Sequence, residues 1–154
     1  MDAKNARPQE TTRTEYKRAV DRLKRYLAAR DHSRFELVQK LTRLFAPELV
    51  DRVLCEASAR GWLAPDAEVA TRAALAYERQ NKSRGYIEAR LRQRHLPLPV
   101  LSPAAELDKI RALVERRFGL LAELSETDRP RVVRFLKYRG FEDQLIRQVI
   151  HAES

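Results

Sequence analysis

The feature that most constrains this chain is a short helix signal written three times. In its first copy Ser33 is placed as an N-cap, its hydroxyl able to take an orphan backbone N–H, and Glu36 can reach back to complete a capping box. Leu37, Leu41 and Leu44 then fall on one stripe of the helix so opened. Pro47 is suited to the first turn of a second helix, in which Leu49, Val50, Val53 and Leu54 make another stripe. The signal returns at Ser83–Leu91, with Ile87 and Leu91 in the places of Leu37 and Leu41, and at Asp128–Leu136, with Val132 and Leu136 there. Past the third copy, Phe141, Leu145, Ile146, Val149 and Ile150 match Phe45, Leu49, Val50, Val53 and Leu54 once an extra residue at Gly140 is allowed. Each helix alone has half a core, so a repeat of this period predicts stacked helical units that bury their faces on one another.

The intervening stretches supply a further helix to each unit. Tyr16, Ala19, Val20, Leu23, Tyr26 and Leu27 follow the i, i+3, i+4, i+7 rule and leave Lys17, Asp21 and Lys24 on the wet side. Ahead of them, residues 1–14 are polar and without apolar period. They read as a flexible arm, either a plain solvated terminus or one that grips nucleic acid. Gly61 is expected to end the third helix, with Trp62 and Leu63 as an apolar plug in the core. Pro65 and Asp66 restart a helix with Val69, Ala70, Ala73, Ala74 and Tyr77 on one side. Pro97, Pro99 and Pro103 follow closely, and a proline inside a helix costs about 3 kcal/mol, so the third helix of the middle unit is expected to be short or irregular. Ser102 and Pro103 open the next helix, which Leu107, Ile110, Leu113, Val114 and Phe118 turn inward and Gly119 ends. Residues 120–127 read as a loop. The expectation is an all-α chain: an arm at 1–14 and three tandem three-helix repeats at 15–61, 62–102 and 103–154, forming a curved, elongated array.

Reactive chemistry is hard to assemble from this sequence. Gly61, Gly85, Gly119 and Gly140 are too far apart for a phosphate-cradling loop. His32, His95 and His151 are each isolated from ligand-spaced cysteine or carboxylate, so no metal or cofactor is expected. His32 reads as a helix-junction residue. Cys55 lies amid a helical stripe and reads as a small packing residue; as the sole cysteine it fits a reducing compartment. No catalytic residue is assigned. Without an apolar run near 18 residues or a charged-then-apolar leader, neither a membrane span nor a signal peptide is expected, and the cytoplasm is the default.

What remains is surface charge. The formal net charge is +9, from 31 Lys and Arg against 22 Asp and Glu, a balance that favours an anionic partner. The excess sits mainly in residues 1–32 and 65–103. The candidate partner- and DNA-binding residues are Lys24, Arg25, Arg30 and Arg34 in the first repeat, Arg84, Arg90 and Arg94 in the second, and Arg131, Arg134 and Lys137 in the third. Tyr86, near Arg84 and Arg90, and Tyr138, between Lys137 and Arg139, are the best candidates for stacking, although Tyr138 is expected to be half core.

The residues quoted so far also resemble the RecX family of recombinase modulators. The likeness runs through Arg30-Asp31-His32-Ser33 with Glu36-Leu37 and Lys40-Leu41, then Trp62-Leu63 with Asp66 and Ala70, then Arg116-Arg117-Phe118-Gly119. It is most specific in Arg134-Phe135-Leu136-Lys137-Tyr138-Arg139-Gly140-Phe141. The chain departs from the family at Ala64-Pro65-Asp66, where paired aspartates are usual, and at Asn81-Lys82-Ser83-Arg84, where a glycine-rich turn is usual. The resemblance implies a non-enzymatic protein that binds the RecA–DNA filament in its groove; single- or double-stranded DNA is expected as a secondary partner and the chain is expected to be a monomer. It would inhibit filament extension, strand exchange, ATP hydrolysis and coprotease activity, in homologous recombination, DNA repair and the SOS response. The rival reading from the residues alone is a general basic helical module for nucleic acid with no RecA role.

Overall fold

A computed structural model describes residues 6–152. Eight α-helices and one 3-10 turn (Leu121–Glu123) account for the regular structure of those residues, and no strand occurs among them: α1 (Ala6–Ala29), α2 (Arg34–Leu41), α3 (Pro47–Ala59), α4 (Asp66–Arg79), α5 (Arg84–Gln93), α6 (Pro103–Phe118), α7 (Arg129–Tyr138) and α8 (Asp143–His151). The chain separates into two compact units. The first runs through Val69 and takes in Arg94–Leu96; the second holds Ala70–Gln93 and everything from Pro97 on.

In the first unit α1 packs on α2 and α3, and the contact is the apolar pattern made solid: Ala19, Leu23, Leu37, Leu41, Val50, Val53, Leu54, Ala57 and Leu63 are buried together. Each fully buried leucine of this set contributes roughly 1.5–3 kcal/mol relative to exposure. Both halves of the capping box form: the Glu36 N–H donates to Ser33 Oγ at 3.1 Å and the Ser33 N–H donates to Glu36 Oε2 at 2.8 Å. Helix α3 ends in a Schellman turn, with Trp62 N–H on the Ala57 carbonyl and Gly61 N–H on that of Ser58, and Gly61 at φ 72°.

In the second unit α6 packs on α8 and α7 around Ile110, Leu113, Val114, Val132, Leu136, Phe141, Ile146, Val149 and Ile150. Helix α7 ends in the same turn at Gly140, at φ 84°. There the glycine meets a second demand: a Cβ would lie 3.1 Å from Ser83 Oγ, which donates to the Arg139 carbonyl at 2.9 Å. That bond fastens the start of α5 to the end of α7.

Six expectations are corrected. Helix α1 begins at Ala6, so residues 6–14 are helical where an arm was expected; residues 1–5 of that arm lie outside the described residues. Extending a nucleated helix costs little even without an apolar face, and the Thr14 hydroxyl backs onto the Glu10 carbonyl. The middle stretch has no third helix: after α5 the chain turns at Arg94 and His95 and then runs without helix to Ser102, as its prolines require. Leu44 lies past the end of α2 and is exposed, and Trp62 is 40% exposed, with only Leu63 of that pair in the core. Cys55 is exposed on α3, and Tyr138 is 93% exposed. The buried stripe of α3 passes Cys55 by at Val53, Leu54 and Ala57, and Tyr138 stands at the end of α7, beyond the buried Leu136.

Candidate functional site

The first-unit cations are largely consumed by structure. At the α1–α2 junction Glu36 accepts from Arg30 Nη2 at 2.9 Å and from Arg94 at 3.3 Å, while Arg94 Nη2 also donates to the Asp31 carbonyl at 2.8 Å. Burial pushes the Glu36 carboxyl up, but the bonds from Arg30, Ser33 N–H and Arg94 outweigh it and hold the pKa at about 2. His32 is buried beneath, its Nδ1 2.9 Å from the Arg30 carbonyl and its Nε2 2.9 Å from Lys40 Nζ; burial lowers its pKa. This neutral imidazole is the helix-junction residue expected. Arg34 pairs with Asp51 at 3.3 Å, and its backbone N–H, at the first turn of α2, donates to Asp66 of α4 at 2.9 Å. Arg94 therefore shares no helical strip with Arg90, because α5 stops before it. Lys24 lies over the Trp62 ring at 4.6 Å, with Arg60 at 5.0 Å from the same centroid. Arg25 lines a shallow groove with Arg18, Arg22, Leu44 and Phe45, which Asp21 partly neutralises.

The second unit repeats the junction with different consequences. The Arg84 N–H at the start of α5 donates to both carboxylate oxygens of Glu106 at 3.0 Å, the counterpart of Asp66 on Arg34. Glu106 is buried and ion-paired with buried Lys109, which also reaches Glu78 at 3.1 Å and the Lys82 carbonyl at 2.9 Å. The Arg84 side chain is held by Glu88, Arg131 lies 3.6 Å from Asp128, and Lys137 pairs with Asp143 at 2.9 Å. Arg90 donates instead to the Tyr86 hydroxyl at 3.1 Å, which lowers the phenol pKa. Arg134 has no ion pair among the described residues. The third copy of the helix signal is capped differently: Asp128 is itself helical and Ser125 Oγ takes its N–H at 3.2 Å.

Two grooves of about 420 and 510 Å³ meet along α7 and share Arg117 and Phe135. Arg117 and Arg139 each stack on the Phe135 ring at 4.8 Å, and Lys82 lies over Tyr86 at 5.0 Å. None of these three side chains meets a carboxylate at ion-pair distance among the described residues. Sequence reasoning left all three out of the candidate set. Two of them stand inside motifs it had already quoted, Arg116-Arg117-Phe118-Gly119 and the passage ending Arg139-Gly140-Phe141, where a cation beside an aromatic is the visible signal. The structure thus brings Arg131 and Arg134 together with Arg117 at one groove, and leaves Arg30, Arg34 and Arg94 in ion pairs elsewhere. Among the described residues no group of His, Cys, Asp and Glu is placed to hold a metal ion, and no helix is long and apolar enough to cross a membrane.

Two family models match the chain. One, for the RecX first three-helix domain, covers residues 18–56, and one, for the RecX third three-helix domain, covers residues 104–150. These are the stretches that carry α1–α3 and α6–α8. Among curated proteins, the regulatory protein RecX of Leptothrix cholodnii is 36% identical over 134 residues, covering 82% of this chain and 83% of its own. The regulatory protein RecX of Cronobacter sakazakii is 30% identical over 146 residues, with 84% and 88% covered, and that of Chlorobaculum tepidum 27% identical over 137 residues, with 86% of each.

Proposed function

The chain belongs to the RecX family of regulatory proteins, and from that premise we propose that it is a non-enzymatic cytoplasmic monomer that binds the RecA–DNA filament. Bound there, it inhibits filament extension, strand exchange, ATP hydrolysis and coprotease activity. The observation that carries this reading is the agreement of its first and last helix trios with the family's named domains. The repeat division at 15–61, 62–102 and 103–154 is part of the same proposal. Several weak patches on one chain add through effective concentration, which suits a partner built of repeating protomers on DNA.

DNA phosphates are the secondary partner, and the surface offers them unevenly. Arg30, Arg34 and Arg94 are neutralised by carboxylates, whereas Arg134 and the ring-stacked Arg117 and Arg139 are not. The unpaired cations also favour a second reading, a general nucleic-acid binder without a RecA role. One experiment separates the two. The pure protein is added to RecA-driven strand exchange and to a RecA–DNA filament at near-physiological salt, with excess bare single-stranded DNA as challenger. Inhibition and filament binding that survive the challenge support the filament reading. Inhibition abolished by the challenge selects simple DNA sequestration, and absence of both inhibition and filament binding refutes the proposal.

A further inference from the structure

We propose that the paired grooves along α7 form a binding track for single-stranded nucleic acid, in which Tyr138 stacks on a base while Arg117, Arg134, Arg139 and Lys82 take phosphates. The proposal rests on the reading of DNA as a partner of this chain and names the strand form and the contact residues.

Three observations lead to it. The first is charge. The track gathers Lys82, Arg117, Arg134 and Arg139, none of them ion-paired among the described residues, and its one carboxylate, Asp128, is engaged by Arg131 and Ser125. An anion, and not an acidic-basic mixed surface, is the complement. The second is preorganisation. Arg117 and Arg139 lie on the Phe135 ring at 4.8 Å each, which holds two planar guanidinium forks in place before any ligand arrives. Guanidinium forks match phosphate geometry.

The third observation concerns the rings. Phe135 is covered by its two arginines, Phe118 lies in an edge contact with Phe135 and has Arg117 over its ring at 5.8 Å, and Tyr86 is occupied by Lys82, Arg90 and an edge contact from Tyr77. Tyr138 lines the same groove, is 93% exposed and has no ring, cation or hydrogen-bond contact among the described residues. It is the residue of this track with an aromatic face left to offer. A duplex keeps its bases inside the stack, whereas a single strand presents a π-face to such a ring whatever its sequence. From Arg131 to Arg139 the helix runs eight residues, or roughly 12 Å, which accommodates about three nucleotides. The end of α7 that carries Tyr138 is tied to the start of α5 through Gly140 and Ser83.

The test uses the full chain and a labelled 20-mer of oligo(dT), with a 20-base-pair duplex for comparison, read by fluorescence anisotropy without RecA. Tyr138→Ala is expected to weaken oligo(dT) binding about tenfold or more, as loss of one base stack does, with duplex binding unchanged. Tyr138→Phe is expected to bind as the parent does. Arg117→Ala is expected to weaken both ligands and to flatten the salt dependence by roughly one phosphate contact. The proposal is overturned if Tyr138→Ala leaves oligo(dT) binding intact, if it weakens duplex equally, or if Tyr138→Phe also fails. It is also overturned if polyglutamate displaces oligo(dT) as well as unlabelled oligo(dT) does, which would assign the track to an acidic protein segment. Because RecA is absent from the assay, failure here leaves inhibition of RecA untouched, and failure of the inhibition assay leaves this result standing.

Discussion

The two units handle the same problem, the open N-terminus of a repeat's second helix, and end with opposite surfaces. In the first, the capping glutamate also anchors two arginines, Arg30 and Arg94, and the neighbouring Arg34 is paired with Asp51. In the second, Ser83 donates to the end of α7 while Glu106 takes the Arg84 N–H and holds a buried lysine. The polar network has moved inward, and the outer cations are left to lie on aromatic rings. A basic surface of this size is therefore not one binding face. Its cations divide into those that hold helices together and those that remain available to a ligand.

That division can be tested by substitution. The largest effect is expected at Lys109→Met, which strands the buried Glu106 carboxylate: roughly 3–5 kcal/mol of stability should be lost, read by urea denaturation. A small change would mean that the Arg84 N–H alone satisfies Glu106. Next comes Arg94→Glu, which removes charged hydrogen bonds to Glu36 and the Asp31 carbonyl and sets a like charge beside Glu36. It should cost about 1.5–3 kcal/mol, so that a paired Arg90→Glu, Arg94→Glu variant reports on folding as well as on binding. If Arg94→Glu melts like the parent, the first-unit cations are not structural as described.

A pH-dependent effect of comparable size is expected at Glu36. Its folded pKa of about 2 lies below the ordinary value of 4.5, so the unfolded chain binds more protons between those limits. The stability it contributes is therefore complete above about pH 4.5 and is lost as pH falls toward 2. Melting curves of Glu36→Gln should lack that component of the acid transition; an unchanged acid profile would contradict the network. The smallest effect belongs to Arg90→Glu, an exposed residue whose partner is the Tyr86 hydroxyl, with stability expected within about 0.5 kcal/mol of the parent.

Much of the fold could be read from residue order because its determinants are local. The apolar period of Tyr16–Leu27, the Ser33–Glu36 box and the glycines after α3, α6 and α7 all act within a turn or two. What escaped acts across long separations. Arg94 finds Glu36 58 residues away, Asp66 caps Arg34 from 32 and Glu106 caps Arg84 from 22, and no periodicity reports such partners. Hence Arg34 and Arg94 resembled parts of a ligand strip, while Arg117 and Arg139 were seen only as parts of a family motif. Ring exposure at Trp62 and Tyr138 escaped for a related reason, since a helix-end aromatic faces core or solvent according to which neighbour packs beside it.

The proposed reading gives the contact with the RecA–DNA filament to the unpaired cations of the second unit, Arg117, Arg134 and Arg139, and not to the paired ones of the first. Its most direct test is inhibition of RecA's DNA-dependent ATP hydrolysis by the parent protein and by Arg117→Glu with Arg134→Glu, at matched helix content and melting temperature. Inhibition by the parent and at least a tenfold weaker effect of the variant are expected. Undiminished inhibition by a variant that folds like the parent would contradict it.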